Sequence, residues 1–152
     1  MKRLLILCAL ACLPFSAFAS EGYAMVFKTQ GEFQYVRDAL EMAIEGKGIK
    51  INHTNRIAEM LERTGKDLGA TKQVYVNGEQ FEFCSAVISR RMMEADPNAM
   101  TMCPYILSVY TVPNDKNVYI AYRKPPVTNN PPLDKALADV EKLLNEIIQE
   151  VM

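Results

Sequence analysis

Cys84 and Cys103 are the residues of this sequence best suited to chemistry. They flank a helix-like segment, V-I-S-R-R-M-M-E-A-D-P. A thiolate can act as a nucleophile, a soft metal ligand or one half of a disulfide. Met92, Met93, Met100 and Met102 fall in the same interval. Thioethers and thiolates together select copper(I). A thiol-redox or copper-handling protein using Cys84, Cys103, Met100 and Met102 is therefore one reading. Methionine is also an adaptable core filler, and these four repeat no metal-binding spacing.

The other candidates are weaker. His53 is the single histidine. No nucleophile elbow or comparable local signature stands near it to make it a general base. Zinc on one His and two Cys has acceptable ligand types but no closely spaced pair. Arg90, Arg91 and Arg123 could hold an anion or carboxylate through bidentate contacts, or be solvated helix and strand charges. Tyr105, Tyr110, Tyr119 and Tyr122 read as strand aromatics paired across a sheet. No catalytic residue is assigned, no cofactor is expected, and the sequence leans away from an enzyme.

These residues must be placed by a small number of elements. Residues 23–28 form a short apolar strand. Residues 32–45 repeat Phe33, Val36, Leu40 and Ile44 at helical spacing, with Gly46 and Gly48 to end the helix. Residues 49–54 alternate as a half-buried strand, and a weaker helix follows from Asn55 to about Thr64. Asn77-Gly78 is a two-residue hairpin signal between 73–76 and 80–84. A third helix, 87–95, stops before Pro97. Strands 104–111 and 118–123 form a second hairpin around P-N-D-K-N. Residues 125–132 are a proline-stiffened linker. The last helix, 133–151, carries the stripe Leu137, Val140, Leu144, Ile147 and Ile148.

The order β-α-β-α-β-β-α-β-β-α predicts an α+β two-layer sandwich, a mixed or antiparallel sheet with helices on one face. In this scheme Cys84 ends one strand and Cys103 begins the next. Parallel strands would put the two cysteines at opposite ends of the sheet, too far apart to bond. The seven residues 96–102 can span roughly 23 Å when extended, so a disulfide and two separate thiols both remain open.

The 152 residues suit one domain, and an apolar fraction of 49% is enough for a real core. Lys2 and Arg3, the apolar run 4–13 and Ala17-Phe18-Ala19 have the form of a secretory signal peptide cut near Ala19. Lipoprotein processing at Cys12 is the alternative. The domain expected after cleavage is 20–152, periplasmic or secreted. Losing Lys2 and Arg3 from 17 basic residues, against 18 acidic ones, leaves a formal charge of −3. There is no basic stripe for nucleic acid and no later apolar run long enough to span a membrane. Cys84 and Cys103 then form an even pair in an exported chain, where disulfides persist.

The segment C-S-A-V-I-S-R-R-M-M-E-A-D-P, then M-C-P-Y-I-L-S-V-Y-T and V-Y-I-A-Y-R-K-P, resembles the bacterial domain-of-unknown-function family 302. The opening strand, the helix F-Q-Y-V-R-D-A-L-E-M-A-I-E-G-K-G-I-K-I and the final helix fit as well. The resemblance covers about residues 23–151. Family members show a Cys-Asn-Pro-like turn where this chain has Cys84-Ser85-Ala86, and Pro-Cys where it has Cys103-Pro104. The resemblance implies a small α+β domain, often a dimer, with no established catalytic role.

The function expected is binding of a small ligand or partner protein in a groove between the third helix and the strand from Pro104. Cys84, Cys103, Pro104 and Tyr105 would line or brace it, with Arg90 and Arg123 as anion contacts. A thiol-redox or copper(I) role and a structural homodimerisation module are the alternatives.

Overall fold

The structure, a computed structural model, describes residues 22–152. The signal-peptide reading over 1–19 and the alternative at Cys12 lie outside those residues. The elements are β1 (Ala24–Gln30), α1 (Phe33–Gly46), β2 (Ile51–Asn55), α2 (Ile57–Asp67) and β3 (Asn77–Phe83). They continue with α3 (Ala86–Ala95), a 3-10 segment (Pro97–Met102), β4 (Tyr105–Thr111), β5 (Asn117–Arg123) and α4 (Pro131–Gln149). The five strands form one sheet, β1-β5-β4-β3-β2, antiparallel throughout. The α+β class and the helical layer on one face match the expectation.

β1 and β2 occupy opposite edges, so α1 must cross the whole sheet. Its 14 residues extend roughly 21 Å, and five strands are roughly 19 Å wide. One face of the pleat supplies Phe27, Phe81, Phe83, Leu107, Val109, Val118 and Ile120, all buried. Val36, Leu40 and Ile44 of α1 pack on that face with Leu137, Val140, Leu144, Ile147 and Ile148 of α4. The two stripes legible in the sequence are thus the ones that seal the core. Arg37 ties α1 to β3 through Glu79 at 2.9 Å and stacks over Phe81, 5.0 Å from the ring centre. Burial alone would lower the Arg37 pKa, but hydrogen bonds to Glu79 and Asp38 and the charges of Glu79 and Glu41 raise it instead.

Three local expectations are corrected. Asn77-Gly78 does not turn a hairpin: both residues open β3, and 73–76 is not a strand. The glycines with positive φ are Gly31, Gly48 and Gly69, so Gly78 is not in a primed turn. A Cβ there would meet the Ala58 Cβ of α2 at 3.5 Å, an ordinary contact, so neither a turn nor packing requires glycine at this position. α2 runs on through Gly65 to Asp67 and ends at Gly69 with φ 67°. The last helix starts at Pro131, inside the segment expected as linker. Asn130 caps it by accepting from the Leu133 N–H at 3.2 Å, and proline suits the first helical position. The Asn130 Nδ2 also donates to the Ala95 carbonyl at 3.0 Å, binding the linker to α3.

Candidate functional site

Strand β4 brings the sequence-predicted residues together, and its two edges differ. On the β3 side the ladder is unbroken over seven pairs, from Asn77↔Thr111 to Phe83↔Tyr105. Because these neighbours are antiparallel, Cys84 and Cys103 leave the sheet at the same end. Their Cα atoms are 6.3 Å apart and their sulfurs 2.07 Å, disulfide distance. Ser85 caps α3, its side chain accepting from the Ile88 N–H. One turn on, buried Ser89 hydrogen-bonds the Tyr105 hydroxyl at 3.0 Å and contacts the Cys103 sulfur at 3.7 Å. The Tyr105 hydroxyl also reaches the Met92 sulfur at 3.6 Å, and its ring meets Phe83 edge-on at 6.1 Å. Burial raises the Tyr105 pKa. With the two sulfurs bonded to each other, neither is a thiolate, so nucleophilic or copper chemistry requires reduction first.

On the β5 side the ladder has only three pairs, Ser108↔Ala121, Val109↔Ile120 and Tyr110↔Tyr119. β5 stays with β1 as far as Arg123, and β4 stays with β3 as far as Tyr105. The β4–β5 ladder therefore ends at Ser108 and Ala121. A cleft of about 420 Å³ opens there. Its lining comes from both sides of the sheet and from the sheet's end. Ile106, Ser108 and Ala121 lie on the face away from the core, while Leu137, Val140 and Leu144 of α4 reach it from the core side. Met102, Pro104, Arg123 and Lys124 stand at its end. The volume falls in the range of small-molecule sites, and the walls combine apolar side chains with tyrosines and other polar groups.

The same open face carries an aromatic row. Tyr75 meets Tyr110 edge-on at 5.3 Å, and Tyr110 stacks on Tyr119 at 5.1 Å. The Lys28 ammonium lies 5.2 Å from the Tyr119 ring centre. Burial raises the Tyr110 pKa, helped by Tyr75, Tyr119 and Tyr23. On the core side of the cleft the Tyr122 hydroxyl donates to Asn145 Oδ1 at 3.0 Å. Burial, then the charge of Glu141, pushes its pKa up to about 12.

Of the residues singled out from the sequence, Pro104, Tyr105, Met102 and Arg123 line the cleft. Cys84 and Cys103 brace the other edge of β4. Arg90 is exposed on α3 and paired with Glu94 at 2.8 Å, and Arg91 joins α3 to Asp139 of α4 at 2.8 Å. Met100 is exposed, Met92 fully buried, and His53 exposed on edge strand β2 opposite Glu82. Among the described residues no group of three or more His, Cys, Asp or Glu could hold a metal. None of their helices is long and apolar enough to cross a membrane. Sequence reasoning missed Ser108, Ala121, Lys124 and the dual role of Leu137, Val140 and Leu144. Nothing local marks them, because the cleft depends on where a ladder stops.

The model of the family described as "Domain of unknown function DUF302" matches residues 25–151. Among solved structures, the "crystal structure of uncharacterized conserved protein DUF302 from Bacillus stearothermophilus" superposes with a TM-score of 0.73 at 18% identity, covering 86% of this chain and 98% of that one. At that identity the likeness is one of fold. No curated protein matches.

Proposed function

The chain belongs to the DUF302 family of domains of unknown function, and from that premise we propose that it is a non-enzymatic binding domain that takes a small apolar molecule into the cleft between β4 and β5. The observation that carries this is a cleft of about 420 Å³ where the β4–β5 ladder ends, lined in part by Leu137, Val140 and Leu144. An antiparallel pair normally continues its ladder. Here the ladder stops, and residues of β4, β5 and α4 line the cleft beside it. We place the domain in the periplasm or outside the cell, on the strength of Lys2-Arg3, the apolar run and Ala17-Phe18-Ala19. The cysteine pair at bonding distance suits an oxidising compartment.

Titration with N-phenyl-1-naphthylamine, a neutral apolar fluorophore, tests the binding reading. One saturable site with enhanced emission is expected, lost in Ala121→Leu, which fills the cleft from its open side. No saturable binding by the parent protein, or equal binding by Ala121→Leu, would sink it. A thiol-redox role is the second reading, favoured by the half-buried sulfur pair beside the cleft. It requires that the pair cycle between oxidised and reduced forms in the cell. Thiol trapping of protein taken from the periplasm reads that directly.

A further inference from the structure

We propose that the ligand is a single-chain acyl carboxylate, with its hydrocarbon tail in the cleft and its carboxylate held at the mouth by Arg123 and Lys124. This inference rests on the binding reading above and adds the ligand's chemistry. The tail is argued from the core side of the cleft, where Leu137, Val140 and Leu144 are apolar and the Tyr122 hydroxyl is already bonded to Asn145. One water-sized unit takes about 30 Å³, so a cleft of about 420 Å³ holds a chain on the order of a dozen heavy atoms. A two-chain lipid is too bulky for it.

The head is specified by charge. The ionisable side chains lining the cleft, apart from its tyrosines, are Glu79, Arg123 and Lys124. Glu79 is already neutralised by Arg37 at 2.9 Å. Arg123 and Lys124 are exposed, and among the described residues neither makes an ion pair. Their position follows from the fold: β5 remains paired to β1 up to Ala24↔Arg123, and the Lys124 N–H donates to the Tyr23 carbonyl at 2.9 Å. The backbone bearing both cations is therefore fixed at the cleft mouth. A guanidinium can take a carboxylate in bidentate fashion, with the ammonium as a second charge. A neutral amphiphile gains nothing from this pair, and a cationic one is repelled.

Displacement of N-phenyl-1-naphthylamine by decanoate, decanol and decyltrimethylammonium separates the possibilities. In the parent protein decanoate is expected to displace the probe at about tenfold lower concentration than decanol, a difference that shrinks as salt screens the exposed charges. Decyltrimethylammonium is expected to be weakest. In the Arg123→Gln/Lys124→Gln variant the probe still binds, and the preference for decanoate over decanol falls to about unity. Equal displacement by all three, or a decanoate preference that survives in the variant, overturns the acyl-carboxylate proposal while leaving the cleft reading standing. So does co-sedimentation with phosphatidylglycerol vesicles without decanoate binding, because the cations then serve a lipid surface. Failure of the probe to bind the parent protein removes both.

Discussion

Strand β4 is bonded along its whole length on one edge and along less than half of it on the other. Towards β3 it has seven ladder pairs, a cysteine pair at bonding distance just past the ladder's end and a buried Ser89–Tyr105 hydrogen bond. Towards β5 it has three pairs and then a cleft. One strand thus serves both as an anchor and as one lip of an opening. Only the closed edge pairs β4 along its whole length. Residues suited to chemistry gather on the closed edge, yet space for a ligand lies on the open one. The cysteines stand on the closed edge and are not among the residues lining the cleft.

The sharpest way to break this contrast is to truncate an anchor on each edge. Phe83→Ala removes a fully buried ring paired with Tyr105, and its expected cost is about 3–5 kcal/mol. Ile106→Ala, on a half-buried cleft wall, should cost less than about 1.5 kcal/mol. Urea unfolding of both variants gives the comparison. Equal costs would mean that the open edge is as rigidly packed as the closed one.

Next comes the covalent tie. Cys84 and Cys103 are 19 residues apart in sequence, and closing a loop of that size stabilises by about 3 kcal/mol in the chain-entropy account. Replacing both by alanine should lower the unfolding midpoint accordingly, and reduction of the parent protein should match it. A loss below about 1 kcal/mol would show that the β3–β4 ladder alone fixes the closed edge.

The contrast also explains what could be read from the sequence. The stripes Val36-Leu40-Ile44 and Leu137-Val140-Leu144-Ile147-Ile148 are periodic because each helix has one core face, and all eight residues are buried. The two cysteines were visible, but their bonding depended on whether β3 and β4 run parallel or antiparallel, a property of topology. Asn77-Gly78 has the composition of a tight turn, yet both residues open β3 and Gly78 has no positive φ, so the dipeptide alone does not fix a turn. The cleft was least legible. Ile106 and Ala121 have ordinary strand sequences around them, and the end of the β4–β5 ladder leaves no local trace. Arg123 stands out in the sequence for its charge at the end of a strand, and only the fold places it and Lys124 at the cleft.

A finer test of the closed edge is Ser89→Ala. It leaves the buried Tyr105 hydroxyl with only the Met92 sulfur, a weak acceptor. The expected loss is about 1–2 kcal/mol. In a double-mutant cycle with Tyr105→Phe, the second substitution should recover part of that loss, because it removes the stranded hydroxyl. Strict additivity would mean that Ser89 stabilises through Cys103 or through helix packing.

The smallest effect belongs to the open edge and appears only in alkali. Tyr122 is buried between the sheet and α4, and its pKa rises from an ordinary value of about 10 to about 12. Below about pH 10 the folded and unfolded chains both hold the proton, and this stabilisation is fully present. Between about 10 and about 12 the unfolded chain releases it first, so stability falls as pH rises through that window. Tyr105 and Tyr110 are shifted in the same direction and add to the slope. Tyr122→Phe keeps the ring that stacks on Phe27 at 6.2 Å but cannot ionise. Its unfolding free energy should therefore fall less steeply above pH 10 than the parent's, by up to one proton's contribution to the slope. An unchanged slope would mean that Tyr122 titrates normally because water reaches it through the cleft, making the opening between β4 and β5 a wet channel and not an apolar binding site.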